Sequence, residues 1–77
     1  MYGNKADREK LSIFLNEQLI KENITNKQLA ERIDISPKKM YEYVSGRLYP
    51  SYENYEKIYT YFGYTADEFW DIAHAWW

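Results

Sequence analysis

Cysteine is absent from the 77-residue sequence, and histidine occurs once, at position 74. Without thiols the chain can form neither a disulfide framework nor a thiolate metal site, and a single histidine has no partner at ligand spacing. A chain this short buries only about 60% of its unfolded surface, which leaves little core around which to build a catalytic cavity. We therefore expect no metal, no cofactor, no small-molecule substrate and no enzyme activity.

Long apolar runs are also lacking. No window approaches the roughly 20 apolar residues that cross a bilayer. The first ten residues are polar and charged, without the apolar stretch of a secretion signal. The sequence predicts a cytoplasmic protein that has no contact with a membrane.

The net charge of −2 and a sequence pI near 5.3 argue against indiscriminate binding to nucleic acid. The position of the charges matters more than their sum, because phosphate attraction acts over a Debye length of about 8 to 10 Å. Residues 25–47 carry five basic and three acidic side chains, whereas residues 48–77 carry one basic and five acidic ones. The positive excess therefore lies within one segment.

Apolar periodicity and capping residues together predict five helices and no strand. The first helix, from about residue 5 to residue 22, has apolar residues at i, i+3, i+4 and i+8, namely Leu11, Phe14, Leu15 and Leu19. Asn4 can cap this helix and Asn23 can end it. Ser51 can cap the fourth helix, which Gly63 ends.

Between these helices the sequence carries the signals of a helix-turn-helix. Thr25 stands three residues before Gln28, the spacing of a capping box that starts the second helix. Ser36 and Pro37 start the third helix, since serine is a favoured N-cap and proline suits the first helical position. We expect Asp34 to adopt a left-handed conformation in the turn. A connection of about three residues makes the two helices cross steeply.

The last predicted helix is rich in aromatic residues. Thr65 and Glu68 form a second capping box that opens this helix, and the chain ends on Ala75-Trp76-Trp77. A chain this small cannot easily bury so many rings, and aromatic residues are enriched in interface cores. We therefore expect residues 66–77 to form a dimerisation helix. Its predicted interface residues are Phe69, Trp70, Trp76 and Trp77.

The order of these landmarks resembles the helix-turn-helix family of lambda-type phage repressors, Cro proteins and xenobiotic-response-element (XRE) regulators. The similarity covers about residues 10–70 without insertion or gap. It rests on Ile24-Thr25, Leu29-Ala30-Glu31, Ile33, Ile35-Ser36, Met40, Gly46, Pro50-Ser51, Gly63-Tyr64-Thr65 and Asp67-Glu68-Phe69. The resemblance implies an all-α, five-helix lambda repressor-like DNA-binding domain over residues 1–77, with its helix-turn-helix at about residues 25–46.

In this family the third helix lies in the major groove, and the start of the second helix and the loop after the third hold phosphates. The resemblance assigns base-facing positions to Pro37, Lys38, Tyr41 and Glu42. It assigns phosphate-facing positions to Asn26, Ser36, Lys39 and Arg47. By these roles Lys38 would donate to guanine, Glu42 would accept from cytosine, and Tyr41 would pack on a thymine methyl or reach a phosphate.

The resemblance implies a sequence-specific transcriptional regulator, repressor or Cro-like and of the kind that phages and mobile elements encode. Its partners would be a double-stranded DNA operator and a second copy of itself. Local basic residues support DNA binding, namely Lys27, Arg32, Lys38, Lys39 and Arg47. Two alternatives stay open. One is a protein-interaction module or antirepressor that pairs with a second regulator, favoured by the acidic pI, Pro37 and Glu42, and the other is a DNA-binding antitoxin.

Overall fold

Five α-helices account for most of residues 4–73, the part of the chain that the computed structural model describes. The helices are α1 (Lys5–Glu22), α2 (Asn26–Arg32), α3 (Pro37–Val44), α4 (Tyr52–Tyr61) and α5 (Ala66–Ala73). Residues 4–73 contain no strand. The prediction of an all-helical chain with five helices is confirmed. Trp76 and Trp77, which were predicted at a dimer interface, lie outside the described residues.

Each helix begins where a side chain can accept a hydrogen bond from the first turn. Asn4 Oδ1 accepts from the backbone N–H of Asp7 at 2.8 Å. Both predicted capping boxes form. Thr25 and Gln28 exchange hydrogen bonds at the start of α2, and Thr65 and Glu68 do so at the start of α5. The hydroxyls of Ser36 and Ser51 cap α3 and α4. Local sequence therefore sets all five starting points.

The connection between α2 and α3 consists of residues 33–36, one residue more than predicted, because Ile33 already leaves helical geometry. Asp34 has a φ of 57°, which confirms the predicted left-handed turn. Lys57 Nζ on α4 donates to the carbonyl oxygen of Asp34 at 2.8 Å. The turn is thus held by a third helix as well as by its own geometry.

One core joins the five helices, since α1 packs against α3 and α5, α2 packs against α3, and α4 packs against α5. Every helix contributes at least one buried apolar residue. The buried apolar residues are Leu11, Leu15, Leu29, Ala30, Ile35, Met40, Tyr43, Ile58, Phe69 and Ala73. Burial of this set supplies the main driving force for folding, at about 25 cal/mol for each Å² of apolar surface.

The assignment of Phe69 to a dimer interface is wrong. Phe69 is fully buried, and its ring centroid lies 5.3 Å from that of Phe14 and 5.2 Å from that of Tyr55. Apolar residues occur on several sides of α5, so periodicity alone could not show which of them faces the core. The packing places Phe69 inward and leaves Trp70 half-buried.

Candidate nucleic-acid interface

The third helix has one buried and one solvent-facing side. Met40 and Tyr43 are buried, with exposures of 0% and 3%. Residues at i, i+3, i+4 and i+7 share a helix face, and the opposite face of α3 carries Lys38, Tyr41, Glu42 and the C-cap Ser45. Glu42 is half-buried, and the other three are exposed. These four residues are called the recognition face below.

Hydrogen bonds from two neighbouring helices fix the orientation of α3. Ser12 Oγ on α1 donates to the carbonyl oxygen of Val44 at 2.6 Å, and Asn16 Nδ2 donates to the same oxygen at 3.0 Å. Asn54 Nδ2 on α4 donates to the hydroxyl of Tyr43 at 2.9 Å. Because both the end and the inner side of α3 are tied to neighbours, the recognition face points away from the core in one defined direction.

The first turn of α3 is exposed throughout, including Ser36, Pro37, Lys38 and Lys39. Positive charge at a helix N-terminus opposes the helix macrodipole by roughly 0.3 to 1 kcal/mol for each residue. Two adjacent lysines are therefore an unfavourable local choice for the isolated helix. An anionic partner at this position would offset the unfavourable interaction between the lysines and the helix macrodipole.

The cations around α3 take part in no ion pair with the described residues 4–73. Among residues 4–73 the ion pairs are Lys5–Glu9, Arg32–Glu22 and Lys57–Glu53. None of these pairs involves the four exposed cations at the start of α2, on α3 and in the loop after it, namely Lys27, Lys38, Lys39 and Arg47. Their charges remain available to an external anion.

Arg47 lies beside the recognition face although it follows the end of α3. Its guanidinium carbon is 5.8 Å from the ring centroid of Tyr41, within the range of a cation–π contact. The backbone N–H groups of Arg47 and Leu48 both donate to the carbonyl oxygen of Glu42, at 2.9 and 3.3 Å. The loop thus folds back along α3 and brings a predicted phosphate-facing residue next to a predicted base-facing one.

Asn26 occupies the first position of α2 and is half-buried. It therefore lies on a different helix from the other predicted DNA-facing residues, which belong to α3, its N-cap and the following loop. The packing of α2 against α3 keeps the two helices in contact. The structure brings Ser36, Pro37, Lys38, Lys39, Tyr41, Glu42 and Arg47 together along α3.

Arg32 is exposed like the other basic residues of this segment, but its charge is already engaged within the chain. Its Nη1 donates to the hydroxyl of Tyr61 at 3.0 Å, and that hydroxyl donates to Glu22 Oε1 at 3.0 Å. The hydrogen bond with Tyr61 raises the pKa of Arg32. Arg32 therefore links α2 to α1 and α4.

Sequence reasoning missed two basic residues of α1 that lie beside the end of α3. A shallow cavity of about 410 Å³ is lined by Lys5 and Arg8 from α1 and by Ser45 and Gly46 from the end of α3. A Cβ added to Gly46 would lie 3.5 Å from the Cβ of Ser12, which shows how closely the two segments approach. The i, i+3 spacing of Lys5 and Arg8 indicated a shared face, but only the fold shows what that face meets.

Within residues 4–73 no group of three or more histidine, cysteine or acidic side chains has a geometry that could hold a metal ion. In the same part of the chain, no helix combines the length and the apolar character that crossing a bilayer requires.

Comparison with known protein families agrees with this geometry. The model of the family described as "Helix-turn-helix domain" matches residues 13–71, from the middle of α1 to the last turns of α5. Neither the curated proteins nor the solved structures gave a match. The matched range contains α2, α3 and the turn between them. Because the match covers most of the sequence, the chain belongs to the helix-turn-helix domain family, of the XRE and Cro-like type.

Proposed function

We propose that the chain is a sequence-specific transcriptional regulator, repressor or Cro-like, which binds a double-stranded DNA operator. The observation that carries this proposal is the recognition face, which points to solvent on a helix otherwise held by its neighbours. The cations that border it belong to none of the ion pairs within residues 4–73. An α-helix with its side chains is about 10 to 12 Å in diameter. That diameter suits the major groove, which is about 12 Å wide.

Within this proposal the residues have separate roles. Lys38, in the first turn of α3, donates to the acceptors of a guanine, and Glu42 accepts from the amino group of a cytosine. The ring of Tyr41 packs on a thymine methyl. The cation–π contact between this ring and Arg47 positions the Arg47 guanidinium. Pro37 makes an apolar contact. The phosphate contacts come from Asn26, Ser36, Lys39 and Arg47.

The direct test is a selection of binding sites followed by a salt titration. The full chain is first used to enrich a duplex from a random library, and its affinity for that duplex is then measured at several salt concentrations. Each phosphate contact contributes about −0.9 to the slope of log affinity against log salt. Failure to enrich any sequence, or an affinity that is insensitive to salt, would reject the proposal.

We further propose that the regulator acts as a homodimer formed through α5 and the residues that follow it. Trp70 on α5 is half-buried, and interface cores favour aromatic side chains of this kind. Two copies would place two recognition faces on half-sites about 34 Å apart. Sedimentation of the full chain and of a chain lacking Trp76 and Trp77 tests the idea. The same number of copies per particle for the two chains would show that Trp76 and Trp77 are not part of the interface.

A second candidate function is a protein-interaction module or antirepressor that pairs with another regulator. The observation that favours it is the aromatic and acidic character of α4 and α5, where Tyr52 is 69% exposed and Asp67 is also exposed. The half-buried carboxylate of Glu42 on the recognition face adds to this, because a carboxylate near phosphates is repelled. This candidate predicts no enrichment of DNA in the selection and binding to the second regulator instead.

A further inference from the structure

A second concave surface lies between α4, α5 and the loop that precedes α4. It encloses a cavity of about 280 Å³. Its polar and aromatic lining residues are Tyr49, Tyr52, Tyr55, Tyr59, Asp67 and Trp70, which together are called the aromatic cleft. None of these residues belongs to the recognition face. The cleft is therefore a separate feature that DNA binding leaves unexplained.

The walls of the aromatic cleft are fixed by the core. The rings of Tyr55 and Tyr59 have centroids 5.8 Å apart with an angle of 77° between their planes, and both pack on Phe69. The ring of Tyr49 lies 6.0 Å from that of Tyr55, and its hydroxyl donates to the carbonyl oxygen of Ala73 at 2.9 Å. Rings held at different angles around one cavity form a preorganised site, which lowers the entropic cost of binding.

The cleft is electrically negative. Asp67 is the charged residue among those that line it. Burial, followed by the nearby carboxylate of Glu56, raises the pKa of Tyr59, so the phenol stays neutral beside a second acidic group. Lys57 is the basic residue of segment 48–73, and it is engaged by the carbonyl oxygen of Asp34 and the carboxylate of Glu53.

We propose that the aromatic cleft binds a small organic cation, a quaternary ammonium or a protonated amine. Aromatic rings carry negative charge on their faces, so tyrosine and tryptophan walls attract a cation that a leucine-lined cavity of the same size would not. The carboxylate of Asp67 adds a full negative charge. The volume lies just below the roughly 300 to 1,000 Å³ usual for ligand pockets, which favours a ligand of few atoms.

A matched pair of ligands tests the charge requirement. Choline and 3,3-dimethylbutan-1-ol have the same shape, but the alcohol has carbon in place of the charged nitrogen. Titration of the full chain with each, followed by the NMR signal of the Trp70 indole N–H, should give saturable binding of choline and about tenfold weaker binding of the alcohol. Equal affinities would show an apolar pocket without cation preference, and no saturable shift would show a closed or inert cleft. Either result overturns the proposal.

Variants then locate the binding site. Asp67→Asn should weaken choline binding about tenfold and leave the alcohol unaffected, because only the Coulomb attraction is removed. Asp71→Asn is the matched control, since Asp71 is an exposed carboxylate on the same helix that does not line the cleft. Trp70→Leu keeps an apolar side chain and removes the ring. Because this variant lacks the indole signal, its choline binding is measured by isothermal titration calorimetry, and it should be abolished while helical circular dichroism is retained. A folded Trp70→Leu chain that binds choline normally would refute the site.

Discussion

The recognition face and the aromatic cleft occupy the same small chain but are built in opposite ways. On the recognition side, long cationic side chains are exposed and belong to none of the ion pairs of the described part of the chain, and Tyr41 is 51% exposed. In the cleft, half-buried rings pack on Phe69 beside acidic groups. The difference teaches that an extended anionic partner requires mobile charge over a rigid helix, whereas a small ligand requires rigid walls.

The two surfaces nevertheless depend on one core. Met40 and Tyr43 bury the inner side of α3, and Phe69 supports the tyrosines of the cleft. Changes in the core should therefore affect both surfaces, and changes in exposed residues should affect one of them. The three predictions below test that separation, in order of expected effect.

Phe69→Ala should produce the largest change. Removing a fully buried phenylalanine costs about 3 to 5 kcal/mol, which is comparable to the whole stability of a domain this small. We expect the chain to lose both its cooperative thermal unfolding and its affinity for the selected duplex. Circular dichroism and duplex binding measure the two effects.

Tyr52→Ala serves as the control for Phe69→Ala. Tyr52 also belongs to the cleft, but it is 69% exposed. Its truncation should therefore change the free energy of unfolding by about 0.5 kcal/mol or less. A cooperative, stable Phe69→Ala chain would show that α5 is not essential to the core and that the two surfaces do not share one support.

The second prediction separates two roles within the recognition side. Lys38→Ala should reduce the preference for one base pair of the selected duplex by about 1 to 3 kcal/mol, because a base-edge contact is lost. Arg47→Ala should weaken binding to all duplexes alike and reduce the magnitude of the salt slope by about 0.9. Affinities for the selected duplex and for its single-base variants at several salt concentrations measure both.

Lys10→Ala is the matched control for the loss of one positive charge. Its ammonium donates to the carbonyl oxygen of Asp71 on α5, which places it away from the recognition face. It should leave the salt slope unchanged. Identical changes in specificity and slope for Lys38→Ala and Arg47→Ala would contradict the assigned roles.

The smallest expected effect is that of Ser12→Ala. The Ser12 hydroxyl bonds the carbonyl oxygen of Val44, and the amide of Asn16 can still satisfy that oxygen after the substitution. We expect a loss of about 0.5 to 1.5 kcal/mol in the free energy of unfolding. Duplex affinity should fall slightly at an unchanged salt slope, because α3 is less firmly positioned but no phosphate contact is removed. A changed slope would mean that the substitution alters the phosphate contacts of cationic residues.

Helix boundaries were predictable because they depend on neighbouring residues. The two capping boxes and the serine caps depend on hydrogen bonds between residues three positions apart. The left-handed Asp34 follows from the tolerance of aspartate for that conformation. A side chain that caps a helix needs no information about the rest of the fold. For the same reason, the start of α3 and the surface position of Lys38 were accessible from sequence.

Long-range partners were not predictable in this way. In the Arg32–Tyr61–Glu22 network, Arg32 and Tyr61 are 29 positions apart along the chain, and Tyr61 and Glu22 are 39 positions apart. The inward position of Phe69 depends on how α5 rotates against α1 and α4, which the apolar residues of α5 alone do not determine. The aromatic cleft also needs the tertiary fold, since its walls come from a loop and two helices.

Positive and negative charge are distributed unevenly along the chain. Positive excess in residues 25–47 and acidic excess in residues 48–77 amount to an electric dipole moment on a chain of net charge −2. The field of a polyanion rotates such a dipole during diffusion, before any contact is made. When the acidic side of the chain meets the polyanion first, the two repel each other and separate quickly. The basic side is attracted and therefore sets the orientation of productive approach.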